Sequence, residues 1–199
     1  MNTKCWISVV LFTLVALLSF SVWAFGSRWF GSEPAMYAGC AVVFFGLGGL
    51  ALLPGSGIAR NERLRFCLAF FLAYLAYAFT WSVAWFAIPQ SFGEVAGSSL
   101  GLLLFVTILM AMLKRKVSLL TATAVLFLFH SLGYYTGGLA YQALQGRGPL
   151  GFEWDASPAT IRTTARLAWG LFYGIGLAIG IHQVLYLSRQ SSTSPSTQI

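Results

Sequence analysis

Apolar residues run along this chain in six long blocks, separated by short breaks that carry glycine, proline or charge. An apolar helix needs about 20 residues to cross the hydrocarbon core of a bilayer. The blocks Cys5–Phe25, Ala35–Pro54, Leu64–Ile88, Ser98–Leu113, Val117–Leu144 and Ile161–Ser188 approach or exceed that length. The fourth is the shortest and spans only in tight packing or locally thinned bilayer. The pattern predicts an all-α fold, a polytopic integral membrane bundle of six transmembrane helices. These form one domain over residues 1–188. The last residues, "QSSTSPSTQI", are polar, so 189–199 is expected to be a disordered tail.

Composition agrees with the pattern, since 58% of the 199 residues are hydrophobic and 9% charged, against roughly a quarter charged in soluble domains. The net charge of +7 does not point to nucleic acid, because the Lys and Arg residues fall in short groups between apolar runs. Their natural partner is membrane lipid. Cys5, Cys40 and Cys67 lie in apolar stretches without metal-ligand spacing and read as free thiols.

Charge also orients the bundle. Lys4, Arg60, Arg63, Arg65, the Lys114–Lys116 turn and Arg189 fall on one side of six spans, which the positive-inside rule places in the cytoplasm. Both termini are then cytoplasmic. The absence of organelle signals points to the plasma membrane, with the protein multi-pass. The opposite side carries Arg28 with Glu33, then Glu94, then the longest loop, "QGRGPLGFEWDASPAT", with Glu153 and Asp155. Arg147, Arg162 and Arg166 are exceptions that lie together on this side. A rival reading makes the first block a secretory signal cleaved after "VWA", residues Val22 to Ala24. The block is longer than a usual signal core, which favours a retained span.

Ionisable and polar side chains inside the spans are the candidate chemistry, because each must find a partner in the bundle. Steps of three and four place Thr123, Phe127, His130, Tyr134, Gly137 and Tyr141 on one stripe of the fifth span, with His130 near mid-depth. The same steps place Arg162, Arg166, Trp169, Tyr173, Gly176, Gly180 and Gln183 on one face of the sixth. Glycines at four-residue spacing, Gly133 and Gly137 in the fifth and two pairs in the sixth, predict that these spans pack together. Arg162 and Arg166 pair with Glu153 and Asp155, snorkel to phospholipid head groups, or form an anion-binding mouth. In the third span, Phe70, Tyr74, Tyr77, Trp81 and Trp85 form an aromatic stripe, read as belt or lipid-facing packing or else as the lining of an outward cavity. The loop "GFEWDASP" reads either as a lid over an outward cavity or as an ordinary interfacial connection. "GGLA" occurs in the second and fifth spans, as it would in two inverted three-helix halves.

Catalysis finds little support here. These blocks contain no Asp or Glu, so paired carboxylates are missing. His130 and His182 belong to different depths, which removes a bis-histidine haem, and neither stands in a zinc motif. The expectation is a non-enzyme without cofactor or metal. It binds or translocates a small-molecule solute between spans three, five and six, through His130, Tyr134, Arg166 and Tyr173. The alternative is a non-catalytic scaffold or assembly subunit that holds a membrane-protein partner on its glycine-rich faces.

Overall fold

The computed structural model describes residues 2–26, 29–88 and 90–193. Arg28 and residues 194–199 of the expected tail lie outside them. The described chain is helical: α1 (Thr3–Phe25), α2 (Glu33–Ser56), a short 3-10 turn (Arg60–Glu62), α3 (Arg63–Ala87), α4 (Gln90–Leu113), α5 (Leu119–Leu144) and α6 (Pro158–Thr193). Six of these are long and apolar enough to cross a membrane.

Local sequence sets where the helices begin. Asn2 caps α1 at Cys5 N, Ser32 caps α2 at Ala35 N, and Ser118 caps α5 at Thr121 N. Each side-chain oxygen satisfies an amide that a helix start leaves without a partner. Gly57 closes the end of α2 in the left-handed region, with φ 64°, where a side chain would be strained. Pro54 interrupts the last turn of α2. The Ser8 hydroxyl of α1 accepts from Gly55 N at 2.6 Å and donates to Leu52 O at 3.1 Å, tying that turn down.

Two bounds differ from the sequence expectation by more than one helical turn. Helix α4 starts at Gln90 rather than Ser98 and has full spanning length at 24 residues. Its first turns carry Gly93, Gly97 and Gly101 against α3, over Ala84, Trp81 and Tyr77. Glycine at these positions lets α4 continue in close contact where composition suggested a loop. The extension brings Glu94 into a spanning helix, so the spans are not free of carboxylate. Helix α6 continues past Ser188 to Thr193, so residues 189–193 of the expected tail are helical.

Consecutive helices pack as three hairpins, α1–α2, α3–α4 and α5–α6, and α6 also packs along α1. Contacts of α2 with α3 and of α4 with α5 close the set into a ring. Two inverted halves would make α1–α2 resemble α4–α5, and α2–α3 resemble α5–α6. The hairpin pattern does not follow that pairing. In α6, 61% of the apolar stretch is buried, against 22 to 44% in the other five helices, so α6 is the hub. Helix α1 belongs to the core, with Phe12 and Ala16 fully buried. The ring's interior is filled by Phe12, Phe44, Phe70, Tyr74, Phe105 and Tyr173, in edge-on or tilted contacts except where Phe70 stacks on Tyr74.

Glycine explains the tight seams of the hub. Gly133 of α5 faces Gly176 of α6, and a methyl group on either would press into the other helix's backbone. Gly137 sits under Trp169. The α5–α6 contact predicted from these residues is present. Gly170 and Gly174, however, face Phe20, Thr13 and Ala16 of α1, so the second pair serves a different neighbour.

Candidate functional site

Helices α3, α5 and α6 each aim polar rings at one another across the middle of the bundle. From Leu119, His130 lies about 16 Å along α5 at 1.5 Å per residue, close to mid-length. Its Nε2 is 2.7 Å from the Tyr77 hydroxyl. The Tyr74 and Tyr173 hydroxyls are hydrogen-bonded to each other. The His130 ring stacks on Tyr134 at 6.0 Å with 9° between planes, and meets Tyr173 edge-on at 5.5 Å. Ser98 and Tyr173 also lie beside the Tyr77 hydroxyl.

This cluster is dry. His130 is 1% exposed, and Tyr74, Tyr77 and Tyr173 are buried with it. A buried polar group costs free energy unless it is hydrogen-bonded, and phenylalanine would fill the same volume at no such cost. The hydroxyls are paired, but His130 Nδ1 is buried without a partner, as is Thr123 Oγ1 two stripe positions away. Backbone packing of α3 onto α5 and α6 is slight beside that within the hairpins, so long side chains make this connection.

The arrangement corrects the sequence reading of α3. Phe70, Tyr74 and Tyr77 turn inward, along with Ala69 and Ala73. The lipid-facing arc is instead Leu68, Phe71, Leu72, Leu75 and Phe79. Of the old stripe, Trp85 keeps an exposed position, and Trp81 stacks on it at 5.1 Å. Tyr74 and Tyr77 are therefore site residues that the stripe revealed but whose direction it did not. Glu94 was missed through the α4 boundary. It lies within electrostatic reach of Tyr134 and Tyr135.

Three of the four predicted site residues, His130, Tyr134 and Tyr173, are brought together. Arg166 is not among them. Its Nη1 donates to the Trp23 carbonyl at 2.8 Å, and its guanidinium lies 4.6 Å from the Trp23 ring centroid. Trp23 is in the last turn of α1, where carbonyls lack helical N–H donors, so Arg166 caps that helix and forms a cation–π contact. Neither Glu153 nor Asp155 pairs with it; among the described residues the ion pair is Arg65–Glu62. The loop instead folds onto the end of α5, with Trp154 Nε1 donating to Leu144 O at 3.0 Å.

Arg166 nonetheless borders an open cleft of about 690 Å3 between the end of α1 and the start of α6, lined by Phe25, Trp29, Thr160, Arg162, Thr163 and Thr164 among others. Rings connect it to the cluster. Trp23 meets Trp169 at 6.0 Å, Trp169 meets Tyr134 at 5.5 Å, and Tyr134 stacks on His130. The second histidine, His182, is buried near the other end of α6, beside Gly55 and Cys5 of the basic end. Among the described residues no group of three or more metal-ligating side chains forms.

The chain matches no family model, no curated protein and no solved structure.

Proposed function

We propose that this integral membrane protein is a non-catalytic, multi-pass protein of the plasma membrane that binds a small polar solute at the tyrosine–histidine cluster between α3, α5 and α6. The observation that carries the reading is the cluster itself, four paired polar rings at mid-bundle with one imidazole nitrogen left open. The cleft at α1–α6 supplies an approach from the end opposite the basic loops. Its arginines and threonines suit a solute that carries an anionic group. Passage to the cluster requires the rings to part. The slight backbone packing of α3 on α5 and α6 lets them do so without dismantling a hairpin.

The scaffold alternative loses the surface that suggested it. The glycines of α5 and α6 at four-residue spacing are occupied by other helices of the same chain. A partner protein would have to use other faces, such as those around Gly46 and Gly138, where nothing lies within 4 Å.

The test is native mass spectrometry of the protein extracted gently from its own membrane, with identification of whatever stays bound. A stoichiometric small molecule is expected in the wild type and lost in Tyr77→Phe, which removes one hydroxyl and keeps the ring. Wild-type protein carrying no small molecule, or Tyr77→Phe retaining it undiminished, overturns the proposal.

A further inference from the structure

The end of the bundle opposite the cleft gathers positive charge from three separate elements. Arg65 stands in the first turn of α3, Arg115 in the α4–α5 turn, and Arg189 near the end of α6 over Gly57. Glu62 is bonded to Arg65. Arg65 and Arg115 against Glu62 leave a net positive charge among these three in a partly buried setting. Burial holds the Arg115 guanidinium below the ordinary arginine range. Glu62 opposes that depression, and the charges of Arg189 and Arg65 add to it. Like charges brought together this way repel unless an anion joins them.

Two donors point to where an anion would bind. Arg65 Nε and Arg115 Nη1 are both buried and have no hydrogen-bond acceptor. A buried unsatisfied donor on a charged group is costly, and guanidinium N–H groups match phosphate oxygens in geometry. We propose that Arg65, Arg115 and Arg189 form a binding site for the phosphate of an anionic phospholipid. Lipid is favoured over free phosphate by what flanks the site. Leu64 beside Arg65 on α3, Leu120 at the start of α5 and Tyr186 about one turn before Arg189 on α6 are exposed at 73%, 82% and 51% and give acyl chains a surface below the head group. Basic pockets between membrane helices at this level are suited to anionic head groups.

The experiment uses the full-length protein in neutral detergent and follows its thermal unfolding midpoint and its lipid adducts by native mass spectrometry. Phosphatidic acid, phosphatidylcholine and inorganic phosphate are added separately. Phosphatidic acid is expected to raise the midpoint and persist as a bound adduct, while the other two do neither. Arg115→Gln should weaken phosphatidic acid retention about tenfold. Its lipid-free midpoint should be unchanged or higher, because a repelled charge has gone; an arginine with a purely structural role would lower it. Arg63→Gln, at an exposed position outside the cluster, should bind as wild type does. Arg65→Gln provides the same reading if Arg115→Gln does not fold. Equal stabilisation by inorganic phosphate, with no added effect of the lipid, overturns the lipid assignment. Undiminished phosphatidic acid binding by both variants overturns the site.

Discussion

Tyr77 and His130 illustrate how one pair of side chains separates stability from function. Their hydrogen bond is internal and dry, yet such bonds in membrane proteins average below 1 kcal/mol, because helices separated in lipid find other polar partners. Tyr77→Phe leaves His130 with both ring nitrogens unsatisfied and is expected to cost about 1 kcal/mol. Replacing both residues, as in Tyr77→Phe with His130→Leu, removes donor and acceptor together, so the double variant should lose less than the two single losses added. Reversible unfolding in mixed micelles measures all three. A double variant that is stable but solute-free shows that the polar pair is kept for binding. Strictly additive losses mean that the two groups do not act as a pair. Arg166 teaches the opposite lesson at the same scale. A charge that breaks the distribution rule suggested a ligand, and besides bordering the cleft it has a local role in closing the end of α1 against Trp23.

Glycine spacing decides which helices meet. At Gly176 an added side chain would strike Phe129 O and the backbone of Gly133, which cannot move without separating α5 from α6. Gly176→Leu is expected to destabilise the protein by at least about 1–3 kcal/mol, the usual cost of overpacking. Gly138→Leu, with nothing within 4 Å, should be tolerated, and helix propensity favours it slightly. Equal stability of the two variants in thermal unfolding would remove the argument that the α5–α6 seam is set by close backbone approach. The sequence made this seam legible because small residues recurred within one apolar block. It hid the equivalent α3–α4 seam, where Gly93, Gly97 and Gly101 stand next to Pro89 and Glu94 and so resembled a loop. Direction was harder to read than existence. His130, Tyr134 and Tyr173 were identified because a polar ring in lipid must face inward, whereas tyrosines on an aromatic stripe suit an interface belt equally well until neighbouring helices fix the rotation of α3.

Over the whole molecule, three hairpins closed into a ring place every strongly basic loop of the described chain at one end and the cleft at the other. The ends differ in chemistry as well as charge. The basic end joins Cys5, Gly55 and His182 where α1, α2 and α6 meet, with Arg189 over Gly57 nearby. The other end is built from Trp23, Arg166 and the long loop before α6. Lys and Arg near helix ends resist translocation, so the Lys114–Lys116 turn should face the cytoplasm and Ser157 the opposite side. The chain's own thiols, Cys5, Cys40 and Cys67, are free and must first be replaced. Single cysteines at positions 116 and 157 are then probed with a membrane-impermeant maleimide on intact cells and again after permeabilisation. Position 157 should label at once, and position 116 after permeabilisation alone. Reversed labelling would turn the cleft to the cytoplasm and the arginine cluster outward. The solute would then approach from inside the cell, and the phosphate site would face the leaflet poorer in anionic lipid. Labelling of both positions on intact cells would place the α4–α5 turn and the long loop on one side. That result is incompatible with α5 as a single complete span and would overturn the six-helix topology itself.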